Sequence, residues 1–202
     1  TDVAGMKYAS YTRCPRIGGT AISFNEAEIK QLPGVMDAFI LQPNDKAGIA
    51  SMAFLQGLAV LRGGVAIVGD DTWSVFEAKK KLDVKWDESS ASHDDWSEMQ
   101  AQAKKIAQQG GGEISLEGPG VDAALADESN ASLESFYQFP YVAHVCMEPM
   151  NCTADFKQGS DGQPDTMELW IPSQFPGQVK EIAENMLGIA KENVTVNPTR
   201  MG

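Results

Sequence analysis

Four consecutive apolar residues, Val65-Ala66-Ile67-Val68, limit the fold of this chain more than any other feature. An alternating strand can leave one face in water. A short continuous apolar run cannot, and it reads as a strand covered on both faces. The surrounding sequence is consistent with a layered domain. Residues 6–13, 20–24, 35–41 and 82–87 read as strands. Asn25 with Glu28 forms a capping-box pattern that opens a helix over 26–32, stopped by Pro33-Gly34. Asp70-Asp71 opens a second helix, reaching Lys81, with Trp73, Phe76 and Leu82 available for burial. Residues 42–56 are turn-rich and then apolar, and carry no firm assignment. Strands alternating with single helices place the first half in an α/β or α+β class.

Ser92 and Asp95 form a second capping signature, ahead of a mostly polar helix that runs to about Gln109. Its apolar residues Trp96, Met99, Ala103 and Ile106 have helical spacing, as in a surface helix docked by a narrow stripe. Gly110-Gly111-Gly112 and Gly118-Pro119-Gly120 then break the chain, so 110–130 reads as a linker. No strand leads into these glycines and no Gly-Lys-Ser/Thr follows, which disfavours a phosphate-binding loop. From Ala131 onward strands are expected over 131–139, 151–156, 166–171 and 193–199. Between the last two lies a helix with Ser173 at its N-cap and Pro176 in its first turn. Val179, Ile182, Ala183, Met186 and Leu187 form its apolar face, and Gly188 closes it.

The 202 residues suffice for one large domain or two small ones, and 43% are hydrophobic, so a packed core is expected. A formal net charge of −12 argues against a nucleic-acid partner and against an anionic membrane surface. A small neutral or cationic ligand, or another protein, is the easier partner. Cys14, Cys146 and Cys152 are too few and too odd in number for a disulfide framework, and read as small packed thiols. No run reaches membrane-span length and no signal peptide is recognisable. The chain begins at Thr1, as a processed product or an excised piece would. Asn-x-Ser/Thr triplets at Asn130, Asn151 and Asn193 read as chance, two of them lying in or beside expected strands.

The densest chemistry lies in His144-Val145-Cys146-Met147-Glu148-Pro149-Met150-Asn151-Cys152-Thr153-Ala154. Thiolate, thioether and imidazole groups suit copper or zinc, but the spacing is not that of a zinc knuckle. On a strand, His144, Cys146 and Glu148 share one face and Val145 and Met147 the other, so the soft groups do not converge. No metal site is expected. His93 and His144 are the only histidines, and no Gly-x-Ser-x-Gly elbow occurs, so a Ser-His-Asp triad is not indicated. Glu148 and Glu168 are candidates for a carboxylate pair at an unknown separation.

Four segments together resemble the large subunit of molybdenum hydroxylases. They are Phe139-Pro140-Tyr141-Val142-Ala143-His144, Met147 to Ala154, Trp170-Ile171-Pro172-Ser173-Gln174 and Arg200-Met201-Gly202. The Met-Glu-Pro-Met-Asn-Cys-Thr-Ala run is similar to the isoquinoline 1-oxidoreductase beta subunit and its aldehyde dehydrogenase relatives. The wider xanthine dehydrogenase and aldehyde oxidase family is similar mainly at Glu148, Ser173-Gln174 and the end. Residues 6–15, the Leu32-Pro33-Gly34-Val35 step and residues 64–87 look like that family's α/β hammerhead domain.

The resemblance implies an α+β fold: a hammerhead domain over 1–109, a linker over 110–130, and the truncated start of a molybdopterin-binding domain over 131–202. It implies a molybdopterin-dependent hydroxylase acting on aldehydes or N-heterocycles, with iron–sulfur clusters on a separate small 2Fe–2S subunit. Gln174 then matches a catalytic and cofactor-binding glutamine whose amide donates to an oxygen on the metal. Arg200, Met201 and Gly202 open a cofactor loop that continues in the family as Gly-Gly-Phe-Gly, where backbone approaches cofactor. Glu148 is a substrate-pocket candidate. The rest of that loop and the family's catalytic glutamate lie outside this sequence. The expectation is therefore a fragment of the large subunit that is inactive and cofactor-free by itself, and that self-associates through surface its missing remainder would cover. A free-standing hammerhead binding or scaffold module is the alternative. The branch implies a periplasmic or membrane-associated location, with the cytoplasm left open.

Overall fold

The computed structural model describes residues 1–44, 61–109, 118–143, 145–148 and 150–200. The chain divides into two compact units: Thr1–Ser92 with Cys146–Gly202, and His93–Val145. The α+β class expected from the sequence holds, with strands and helices in both β-rich halves of the first unit.

The apolar run forms the middle of the first sheet. Strand β1 (Tyr8–Arg13), β3 (Val35–Leu41) and β4 (Gly64–Gly69) lie in the order β1-β4-β3, with β4 antiparallel to both neighbours. Ile67 packs with Ala38 of β3, Ile29 of helix α1 (Glu26–Lys30), and Val75 and Ala78 of helix α2 (Thr72–Lys80). Phe24, Leu32, Val35 and Leu82 close this cluster at its edges. On the other face Gly64 and Ala66 are buried too, and a Cβ at Gly64 would lie 3.0 Å from the Tyr11 ring and 2.3 Å from the Thr12 carbonyl oxygen. The run is thus covered on both sides.

Strand β2 (Thr20–Phe24) pairs antiparallel with β5 (Val84–Asp87), with a bulge between Ala21 and Ser23. Helix α1 begins where expected, but the capping box does not form. The Asn25 side-chain oxygen accepts from the Asp83 N–H at 2.9 Å, and its amide donates to Glu28 Oε2 at 2.8 Å and the Lys81 carbonyl at 3.0 Å. Asn25 is therefore spent on joining α1 to the chain entering β5, and it does not cap its own helix. Asp71 does cap α2, accepting from the Ser74 N–H at 2.8 Å and the Ser74 hydroxyl at 3.1 Å. These bonds hold the Asp71 carboxyl below its ordinary range.

The third sheet has the order β6-β7-β8, from β6 (Thr153–Lys157), β7 (Thr166–Ile171) and β8 (Val194–Pro198). β6 and β7 form an antiparallel pair, whereas β7 and β8 are parallel and need a crossover. Helix α5 (Pro176–Leu187) is that crossover, and Ala183 packs with Leu169, Ile189 and Val194, flanked by Val179. Gly188 ends α5 in the left-handed region at φ 72°, as the sequence pattern requires. The N-terminus differs from expectation. Phe175 is the capping residue, and Ser173 Oγ instead accepts the Phe175 N–H at 3.1 Å, because Pro176 fixes the first helical turn two residues further on. Leu187, expected on the buried stripe, is exposed.

In the second unit, helix α3 (Trp96–Gln109) starts later than the Ser92 signature implied. Asp95 is the residue whose carboxylate accepts the first free N–H groups, from Ser97 at 2.8 Å and Glu98 at 3.1 Å. A short helix α4 (Val121–Ala126) lies within the glycine-bounded stretch. The strand expected over 131–139 is not formed. Residues 131–143 are irregular, and β-propensity yields no strand without a ladder partner. Instead Tyr141 sets its ring edge against Trp96 at 5.5 Å, and Lys104 lies 5.1 Å from the Phe136 ring centroid.

Two outcomes check this account. Ile67→Ala should lower unfolding stability by about 2–5 kcal/mol in urea titration, and Leu187→Ala by less than about 0.5 kcal/mol. Similar losses at both positions would contradict the assigned core. For Asp71, a folded pKa depressed below the ordinary 3.8 gives stabilisation that is present above that pH and lost as pH falls through the folded value. Asp71→Ala should therefore be less stable at neutral pH and show a shallower acid transition.

Candidate functional site

The site residues read from the sequence sit where regular elements end. Gln174 occupies the turn between β7 and α5, set by buried Pro172 before it and Pro176 after it. It is exposed, and its amide makes no hydrogen bond among the described residues. Arg200 follows β8, in a segment held to β7 by the Thr199 N–H donating to the Ile171 carbonyl at 3.1 Å. Arg200 is exposed and has no ion pair among the described residues. Met201 and Gly202 lie outside the described residues, as do His144 and Pro149.

Glu148 lies on the irregular approach to β6, exposed, and its Oε1 accepts from the Asn151 amide at 3.2 Å. The soft side chains of this run spread out: Met147 is 97% exposed and Met150 is also exposed, while Cys146 is half-buried. Among the described residues no group of three or more His, Cys, Asp or Glu side chains converges as a metal site would require. Burial pushes the Cys152 thiol above its ordinary value, although the residue as a whole is exposed. The two agree if the sulfur is the covered part.

A cleft of about 910 Å³ brings Glu148 and Arg200 onto one lining, together with Asn151, Cys152, Phe76 and Trp170. Gln174 does not line it. The cleft thus offers a carboxylate, an uncommitted guanidinium and an amide beside aromatic walls. Chemically, it suits a ligand with an apolar body and a few polar groups. Residues 1 and 3–9 form another part of the wall, and no motif in the sequence marked them as site residues. They join the site only because the first and third sheets belong to one unit. The carboxylate pair weighed from the sequence is already engaged elsewhere: Glu168 accepts from the Asn197 amide at 2.8 Å, and Glu148 from Asn151.

Known proteins resemble this chain along its whole length. The family described as "Molybdopterin cofactor-binding domain" matches residues 100–202, which include Glu148, Gln174 and Arg200. The xanthine dehydrogenase molybdenum-binding subunit of Escherichia coli O157:H7 is 23% identical over 221 residues, covering 99% of this chain. This chain spans only 28% of that relative's length. Among solved structures, quinoline 2-oxidoreductase from Pseudomonas putida 86 superposes with a TM-score of 0.58 at 16% identity, over 98% of this chain and 27% of its own. Reconstituted CO dehydrogenase from Oligotropha carboxidovorans covers 100% of this chain and 28% of its own, at 14% identity and a TM-score of 0.46.

The covered thiol gives a direct check on this part of the fold. Alkylation of Cys152, followed by peptide-resolved mass spectrometry across pH, should show a midpoint in the folded chain above that of the chain unfolded in urea. A folded midpoint at or below the unfolded one would mean that burial does not raise this thiol.

Proposed function

We propose, because the chain belongs to the molybdopterin cofactor-binding domain family of molybdenum hydroxylases, that it is part of a large subunit oxidising aldehydes or N-heterocycles. The observation that carries this reading is the family match over residues 100–202, which contain the three described site residues. The Met147–Ala154 run supports the isoquinoline 1-oxidoreductase and aldehyde dehydrogenase branch. Residues 1–109 are assigned to the hammerhead, 110–130 to the connection and 131–202 to the opening of the cofactor domain.

Two described side chains have the chemistry that a polar cofactor calls for. Gln174 presents an amide with no competing protein partner, in a turn whose backbone two prolines restrict. Arg200 presents a guanidinium free of carboxylates, suited to a phosphate group. These two residues, with the backbone of Met201 and Gly202, would hold the molybdopterin. When bound, that group supplies transfer of a water-derived oxygen to an electrophilic carbon and accepts two electrons. The chain's own part is to orient and to donate hydrogen bonds. A donor fixed before the reaction incurs no reorganisation cost as charge develops. Glu148, tied to Asn151, is the candidate for the substrate pocket.

In the whole enzyme, iron–sulfur clusters on a small 2Fe–2S partner subunit would take up the electrons. The remainder of the large subunit supplies further cofactor contacts, so these 202 residues alone retain no molybdopterin and are inactive. A periplasmic or membrane-associated location follows the same branch. Among the described residues no helix is long and apolar enough to cross a membrane.

The test is Gln174→Ala in the full-length enzyme. Turnover should fall by about a hundredfold to a thousandfold, as when one preorganised donor is removed, with molybdenum and pterin content near normal. Unchanged turnover, or loss of cofactor in parallel with activity, would remove Gln174 from the catalytic role.

A further inference from the structure

Where β1 ends and β4 begins, a separate cavity of about 230 Å³ is lined by Arg13, Arg16 and Arg62, with Ile17, Leu61 and Pro43 as apolar walls. Its frame is fixed by backbone. Arg13 pairs with Gly64 in the β1–β4 ladder, and Leu61 and Asn44 exchange two main-chain hydrogen bonds of 2.9 and 3.1 Å. The Tyr11 hydroxyl donates to the Arg62 carbonyl. Gly63 and Gly19 leave room for neighbouring side chains: added Cβ atoms would stand 2.8 Å from Pro43 Cδ and 2.4 Å from Cys14 Sγ.

The charge at this cavity is unusual for this chain. Three of only 16 Lys and Arg residues meet on one small cavity, in a molecule of net charge −12. Arg16 is paired, its Nε lying 3.2 Å from Glu88 Oε2. Arg13 and Arg62 have no carboxylate partner among the described residues; Arg13 is exposed and Arg62 is half-buried. Two guanidinium groups without carboxylate partners, next to apolar walls, favour an anion over a neutral ligand. The apolar walls also favour a ligand with a carbon body, and the volume is below the range of drug-sized sites.

We propose that this cavity binds a small organic carboxylate, its carboxylate held by Arg13 and Arg62 and its apolar body against Ile17, Leu61 and Pro43. The planar fork of arginine matches a carboxylate in a way that inorganic anions with no apolar body do not exploit. The site is distinct from the Glu148–Arg200 cleft and does not depend on the enzyme reading.

Titration of the 202-residue chain with benzoate, followed by backbone amide chemical shifts at low salt, tests this. Saturable shifts should cluster at residues 13–20 and 61–64. Neutral benzamide should not saturate, and inorganic phosphate should bind at least about tenfold more weakly than benzoate. The Arg13→Gln/Arg62→Gln double variant should lose at least about tenfold in benzoate affinity, as expected for lost charge-assisted hydrogen bonds. Arg62→Lys, which keeps the charge and the backbone acceptor for Tyr11, should lose a smaller but measurable part. Absence of saturation, equal binding of benzamide, equal binding of phosphate, or undiminished affinity in Arg62→Lys would each overturn the assignment.

Discussion

The first half of the protein depends on the burial of Ile67 beneath two helices. Ile67 stands at the centre of the middle strand, and its contacts reach α1, α2 and β3 at once. Burying such a side chain contributes about 1.5–3 kcal/mol, but its larger effect is on register. A slip of one residue would turn Ile67 and Val65 away from the helices and bring Ala66 and Gly64 beneath them. Gly64 is packed too closely by Thr12 and Tyr11 to be replaced by a larger residue. The two faces of β4 therefore ask for different residues, and only one register satisfies both.

The third sheet uses another solution. Its parallel pair is possible because α5 carries the chain back across the sheet, and Ala183 lets the helix lie close to Leu169 and Val194. The turn that launches this crossover is where Gln174 sits. The fold thus places a polar, uncommitted side chain at the end of a strand whose position is fixed by a ladder on both sides. A site at such a junction inherits the rigidity of the sheet while its own side chain stays available to a ligand.

Much of this was legible in the sequence, and the reasons differ by element. The strand at 64–69 and the helix at 176–187 have strong local signals: an unbroken apolar run in one, three-and-four spacing with proline and glycine at the ends in the other. The caps were less legible. Asn25, Asp95 and Ser173 all have side chains able to accept an N–H, and which one each accepts depends on distant or neighbouring geometry, as the Asp83 N–H shows for Asn25. The aromatic stretch at 131–143 has strand-forming residues without a strand, because ladder partners are a tertiary property. The same limit applies to the site. Glu148, Gln174 and Arg200 stood out through family motifs, whereas the wall contributed by residues 1 and 3–9 and the arginines near β4 became visible only in three dimensions.

The mixed third sheet also has two outer edges among the described strands, β6 and β8. Open edges invite pairing with other chains. β8 ends in Pro198, which faces Ile171 across the ladder and has no N–H to offer to a strand on its free side. β6 carries Asp155 and Lys157, joined by a 3.2 Å ion pair, along its own margin. Proline on one side and charge on the other discourage an incoming strand from extending the sheet. Replacing either guard would leave the three described strands paired as they are, while removing what discourages a foreign strand from joining them.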